Sequence, residues 1–252
     1  MGFLNGAKNV LAFLTIFPVG MDHNGFRKAA DHIYLFPFVG ALLGFIAGGI
    51  GWLILHVLPP LVVGALTLSV LEIFIGFHHM DGLFDFGDGV MANGSKNKKI
   101  GAMRDQNIGT GGLVLGIMVF LATALSFAYL SPLFIIPALI LVETSAKFSM
   151  VVVAAVGKSA RRGMNTSFVE LMHTKHGTYR FLVALLASLA VGLVFFGLIG
   201  LITIAVSIGT ALAMVGVTHM HFGGVTGDIL GATNEISRMI CILSVLVMIQ
   251  WA

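Results

Sequence analysis

The stretch FLVALLASLAVGLVFFGLIGLITIAVSIGTALAMVGVTHMHFGGVTG, residues 181–227, runs for 47 positions without one Lys, Arg, Asp or Glu. A membrane-spanning helix needs about 20 apolar residues. The run is long enough for two, and Gly197 and Gly200 break it near its middle. Residues 32–71 are charge-free for 40 positions around Pro59-Pro60, and residues 106–142 for 37 around Ser131-Pro132. The three runs predict three helical hairpins: 34–57 with 60–77, 112–130 with 133–157, and 181–197 with 200–218. The apolar stretch 239–252 has 14 residues. At about 1.5 Å per residue it is too short to cross a hydrocarbon core of about 30 Å. The seventh helix is therefore expected to begin earlier, near 226–228.

Composition agrees. Of 252 residues, 58% are apolar and 10% charged, against about 25% charged in a soluble domain. So few charges exclude a disordered chain and a basic nucleic-acid binder. The single cysteine, Cys241, excludes an internal disulfide and a cysteine metal site. The expected fold is an all-α integral membrane protein with six to seven transmembrane helices, three hairpins plus a last helix, forming one polytopic domain over 1–252. Lys8 followed by the apolar run 10–17 reads as an N-terminal amphipathic helix lying in the interface. Thirteen of the 14 basic residues fall in the N-terminal segment, the 78–111 loop, the 158–180 loop or around Arg238, and none in the hairpin turns. The positive-inside rule then makes that face cytoplasmic in a cell-membrane protein. Gly40, Gly44 and Gly48 form a small-residue stripe for close helix packing.

The chemistry gathers on the same face. Asp81, Asp85 and Asp88, in the segment 78–89, are spaced i, i+4, i+7 and share one side of a helix. Three carboxylates on one face repel unless a cation neutralises them, and oxygen-only ligands favour Mg²⁺, Mn²⁺ or Ca²⁺. A solvated acidic loop is the plainer alternative, but Leu83, Phe84 and Phe86 alternate with the acids and imply order. The glycine-rich residues 109–112, after Arg104, lead into a membrane helix and suit either phosphate or packing. Residues 223–235 hold Gly223, Gly224, Thr226, Gly227, Asp228 and Glu235. Asp228 also suits a helix N-terminus simply as a dipole partner, and Glu235 can pair with Arg238. Glu143 and Lys147, four apart inside a membrane helix, are either a functional pair or a structural one. Glu72 faces the same cavity or another helix. Five basic residues between 158 and 180 offer attraction to an anionic substrate or to lipid head groups.

Residues 79–89, HMDGLFDFGDG, resemble the HLDGLxDxxDG motif of the cobalamin synthase family (adenosylcobinamide-GDP ribazoletransferase). Residues 103–110 resemble the family's MRDSRxGT segment, with Gln106-Asn107 in place of Ser-Arg, and residues 223–232 its GGxTGDxLGA segment, with Glu235 in step. Residues 36–40 match its FPxxG, and 13–18 its FxTRxP, with Ile16 at the arginine position. The matches keep family order from residue 13 to 235. The resemblance implies the last assembly step of cobalamin: a ribose hydroxyl of α-ribazole, or of its 5′-phosphate, attacks the diphosphate of adenosylcobinamide-GDP and GMP leaves, with Mg²⁺ required. Asp81, Asp85 and Asp88 would hold the metal. Asp88, Asp228 or His79 would serve catalysis. Arg104, Gly109, Thr110, Gly223, Gly224, Thr226, Gly227 and Glu235 would hold substrate phosphates. A membrane-level cavity between these segments is expected to hold the corrinoid, in contact with membrane lipid.

Two other readings compete. The DGxxDxxDG spacing also resembles CDP-alcohol phosphotransferases, although their Ala-Arg after the DG and their longer spacing to the distal aspartates are missing. A cation transporter would need acids deep in the bundle, such as Glu72 and Glu143 beside Lys147.

Overall fold

The structure is a computed structural model that describes residues 2–160 and 164–251, the side chains of 164 and 165 excepted. Its helices are α1 (Phe3–Leu14), α2 (Gly25–Asp31), α3 (Phe36–Ile54), α4 (Pro60–Ile75), α5 (His78–Met91), α6 (Lys96–Ala102), α7 (Thr110–Ala128), α8 (Ile135–Val156), α9 (Met164–Met172), α10 (Gly177–His221) and α11 (Gly227–Gln250). Among the described residues the only β-type pairing is an isolated bridge between Ser159 and Val225. The chain is an all-α membrane protein.

The expected breakers act where the sequence places them. Pro59 lies extended and Pro60 opens α4, where a missing N–H costs nothing. Gly197 adopts φ 55°, ψ −125° inside α10. A Cβ on Gly200 would lie 1.9 Å from the Gly192 carbonyl oxygen. Residues eight apart in a straight helix would be about 12 Å apart, so α10 turns back on itself and supplies two spans. The last helix begins at Gly227, as expected.

One feature differs from the sequence reading. Consecutive α7 and α8 do not pack as a hairpin. The first lies against α4, α5 and α11, and the second against α3, α10 and α11. With 89% of its apolar window buried, α8 is the helix around which the others assemble. The acidic segment, counted by charge within the 78–111 loop, is a helix, as the spacing of its aspartates implies. Gly76 ends α4 in the left-handed conformation, Phe77 follows at φ 59°, and α5 leaves at 95° to α4. Its glycines do not break it, so the three aspartates share a helix.

The glycine stripe packs as expected. A Cβ on Gly44 would stand 2.2 Å from the Leu139 carbonyl oxygen, and one on Gly40 2.3 Å from that of Glu143, both on α8. Gly49, on the same helix, has nothing within 4 Å. Gly44→Val is therefore expected to cost at least about 3 kcal/mol, the upper end of ordinary overpacking, because backbone blocks it. Gly49→Ala should be neutral or stabilising by up to about 1 kcal/mol. Thermal unfolding of the two variants in detergent checks both.

Candidate active site

Close backbone approach brings the acidic helix against two helix N-termini. On one side, a Cβ on Gly82 would lie 2.6 Å from the Asp228 carbonyl oxygen, and one on Gly231 3.0 Å from the His79 Cα. Here α5 seats on the first turns of α11. On the other side, Gly112 faces the Phe84 carbonyl oxygen and Gly116 the Phe84 ring, so α5 seats on α7. The glycines of the acidic and glycine-rich segments are the clearance for these contacts.

A cavity of about 370 Å³ opens where α1, α2, α5, α8, α9 and α11 meet. Asp81, Asp228, His78, His79 and Gly227 line one part of it; Phe13, Phe26, Phe168, Met21 and Met150 line another. Asp81 is exposed, while Asp85 and Asp228 are partly buried. Burial, with the charges of Asp228, Asp81 and Asp88, pushes Asp85 up to about 7. Burial, reinforced by the positive charges of Lys147 and Arg238, holds His79 neutral, well below the usual histidine range. Among the described residues its Nδ1 has no hydrogen-bond partner, and Glu235 Oε1 stands 4.0 Å away. Arg104 is exposed and its charge acts on Asp228.

This set fits a hard divalent cation. The donors are all carboxylate oxygens, and their mutual repulsion lacks a compensating charge at Asp85. Among the described residues no three acidic, histidine or cysteine side chains converge closely enough to hold an ion by themselves. An Mg²⁺ ion here would take one or two of these carboxylates and complete its shell with waters and substrate phosphates.

Asp85 also sets a pH dependence. Its folded-state value lies above the unfolded carboxylate range, so folding favours the protonated form. The associated stability is fully present at acid pH and is lost as pH rises through about 7. Metal-free protein is expected to lose thermal stability between about pH 4 and pH 7 through this group, and Asp85→Asn to flatten that fall. Unfolding temperatures in chelator across the range provide the check.

Several expected ligands sit elsewhere. Asp88 accepts the backbone N–H groups of Gly109 and Gly112, both at 2.7 Å, and so caps α7. It is committed to that helix, and Gly109 has no N–H to offer a phosphate. Thr110 lies on the far side of α5, in an apolar recess of about 720 Å³ that also includes Met91, Met118 and Met214. Gly224 packs on Lys158 and Ala160, while the adjacent Val225 N–H donates to the Lys158 carbonyl. Gly223, at φ 80°, makes the bend before α11. Thr226 caps α11, its hydroxyl accepting from the Ile229 N–H. Gly227 alone of these glycines lines the acid-bearing cavity.

Glu235 is not among the residues that line the acid-bearing cavity. It lies in a buried cluster about 10 Å along α11 from Asp228 by helix rise. Arg238 donates to Glu72 of α4, Glu143 of α8 and Glu235. Lys147 stands 3.7 Å from Glu143 and donates to Asn234 at 2.8 Å. The Asn234 amide donates to Glu235 at 2.9 Å. Arg238, counted by sequence among the loop-face charges, is 0% exposed. Of the basic residues between 158 and 180, Arg161 and Arg162 lie outside the described residues. Arg180 pairs with Asp31 at 2.7 Å. The aromatic lining of the cavity was not anticipated; its only sequence signal was Phe13, in a segment matching a family motif.

A site of this kind, acids at helix ends beside a cavity in an all-α bundle, suits transfer of a phosphorus-containing group. The family comparison agrees. Residues 6–247 match the cobalamin-5-phosphate synthase model. A protein of Methanosarcina mazei named adenosylcobinamide-GDP ribazoletransferase is 34% identical, with 98% of this chain and 94% of the relative aligned. A Methanocella arvoryzae protein of the same name is 33% identical over 98% and 97%, and one of Thermococcus onnurineus 34% identical over 92% and 93%. No solved structure matches. The chain belongs to the cobalamin-5-phosphate synthase family and is a transferase of cobalamin biosynthesis.

Proposed function

We propose that this enzyme joins adenosylcobinamide-GDP to α-ribazole or α-ribazole 5′-phosphate at the α5–α11 junction, releasing GMP. The observation that carries the reading is the meeting of Asp81 and Asp228, from two separate family segments, on one cavity. A ribose hydroxyl oxygen forms a bond to the cobinamide-bearing phosphorus. The bond from that phosphorus to the bridging oxygen breaks, and GMP departs with the electron pair. Asp228 takes the hydroxyl proton, a role that requires it within about 3 Å of that oxygen. Neutral His79 orients the ribose from the cavity wall. Asp81 and Asp85 would hold Mg²⁺ together with the diphosphate, and Arg104 the outer phosphate oxygens. The cation, when bound there, would supply positive charge to offset the charge that builds on the leaving group. Asp88 positions the site by capping α7 rather than by touching substrate.

The transporter reading gains buried glutamates but no advantage. Glu143 and Glu235 are engaged by Arg238, with Lys147 beside Glu143, and Arg238 also holds Glu72. The test among the readings is donor choice. Membranes containing the enzyme should release GMP from adenosylcobinamide-GDP and leave CDP-diacylglycerol intact. CMP release with an alcohol acceptor and no corrinoid product would move the assignment to the lipid enzymes.

The basic residues favour a cytoplasmic site in the cell membrane. With single cysteines placed in a Cys241→Ser background, an impermeant thiol reagent on intact cells should label Ser131→Cys and spare Ser95→Cys and Ser159→Cys. The reverse pattern would put the site outside.

A further inference from the structure

We propose that the aromatic side of the acid-bearing cavity, Phe13, Phe26 and Phe168, seats the flat base of the nucleoside acceptor, and that the corrinoid donor stays outside this cavity. The inference rests on the reaction proposed above and assigns its two substrates to different places.

Size comes first. About 370 Å³ is near the lower end of the roughly 300–1,000 Å³ that bury drug-sized ligands. A benzimidazole riboside of about 20 non-hydrogen atoms matches that scale. A corrinoid carrying a nucleoside diphosphate is several times larger. The proposal thus departs from the expectation that the corrinoid fills the cavity.

Chemistry comes second. The cavity is divided as the acceptor is divided. Carboxylates and a neutral histidine line the polar part, where ribose hydroxyls would be oriented. Three aromatic rings and two methionines form the apolar part, suited to a heteroaromatic plane. Arg104 is not among the lining residues, so the diphosphate is assigned to the rim of the cavity beside Asp81 rather than to its aromatic part.

The wall is also built. The Phe13 ring lies 4.8 Å from Phe168 and 5.9 Å from Phe26. Asp22 ties the helices that carry two of them, accepting from Lys8 at 3.0 Å, Lys28 at 2.6 Å and Asn9 at 3.0 Å. Phe26 nevertheless stays 43% exposed.

The test uses full-length protein in detergent and equilibrium dialysis with α-ribazole alone. Wild type should bind; Phe26→Ala should bind about tenfold more weakly, as loss of one stacking ring implies, while Phe26→Trp should retain affinity. In turnover, Phe26→Ala should raise KM for α-ribazole and leave KM for adenosylcobinamide-GDP unchanged. Because Phe26 is partly exposed, the alanine variant should fold, and its unfolding temperature verifies this. Unchanged α-ribazole binding in Phe26→Ala, or a rise in donor KM alone, would overturn the seat while leaving the reaction standing. Binding that appears only after bound lipid is stripped away would assign the wall to acyl chains and overturn it too. Wild-type binding that weakens in Phe26→Ala, without GMP release when donor and Mg²⁺ are present, would keep the seat and overturn the reaction.

Discussion

Asp81→Asn and Asp228→Asn are each expected to lower turnover by about 10²–10⁴-fold, the scale on which a positioned acid or base contributes. Both side chains line the cavity, one from α5 and the other from the first turn of α11. Neither substitution should unfold the protein. Asp81 is exposed, and Asn keeps the size of either side chain. Removing one of several mutually repelling carboxylates should make metal-free protein no less stable. Glu170, exposed on α9 and outside every matched segment, is the control, and Glu170→Gln should turn over as wild type does. Rates of GMP release, with unfolding temperatures of the same preparations, check the set. Wild-type turnover in Asp81→Asn at low Mg²⁺ would remove that residue from the site.

The second large effect is on folding. Arg238 is fully buried and serves carboxylates from α4, α8 and α11. Arg238→Met would leave Glu72, Glu143 and Glu235 facing Lys147 alone. Breaking a buried pair from one side costs about 3–5 kcal/mol, because the abandoned charges stay desolvated. Arg238→Lys should rescue little, since an ammonium cannot reproduce the planar fork that reaches several carboxylates. Glu72→Gln should be mild by contrast. Among the described residues Glu72 Oε2 already lacks a hydrogen-bond partner, and Glu143 and Glu235 remain to hold Arg238. The yield and unfolding temperature of the three variants in detergent measure this. Equal losses in Arg238→Met and Glu72→Gln would contradict the central place of Arg238 in the cluster.

Helix positions were legible because membrane spans are written locally. Long charge-free runs fix the helices, and Pro59-Pro60 and Gly197 mark where they turn. Partnership was not legible, because it depends on which surfaces meet across the bundle. The separation of α7 from α8 follows from α8 taking the centre, with the Gly40 and Gly44 clefts receiving its backbone. At the site, the spacing of Asp81, Asp85 and Asp88 placed them on one helical face. It could not say that Asp88 would turn to cap α7, because that choice depends on the distant Gly109 and Gly112. Glu235 illustrates the same limit. Its step after Asp228 suggested a shared face toward substrate, yet the spacing to Arg238 carried the stronger constraint, since a buried arginine gathers whatever carboxylates face it. Phe26 and Phe168 carried no local signal at all; only the fold brings α2 and α9 to the acids.

The most direct measurement supplies purified enzyme in lipid vesicles with adenosylcobinamide-GDP, then adds α-ribazole and Mg²⁺ separately and together, following GMP and corrinoid product by chromatography. The expected result is one GMP released for each nucleotide-bearing corrinoid formed, only when both additions are present, and almost none in Asp228→Asn. GMP release without α-ribazole, or full turnover by Asp228→Asn, would contradict transfer at the α5–α11 junction.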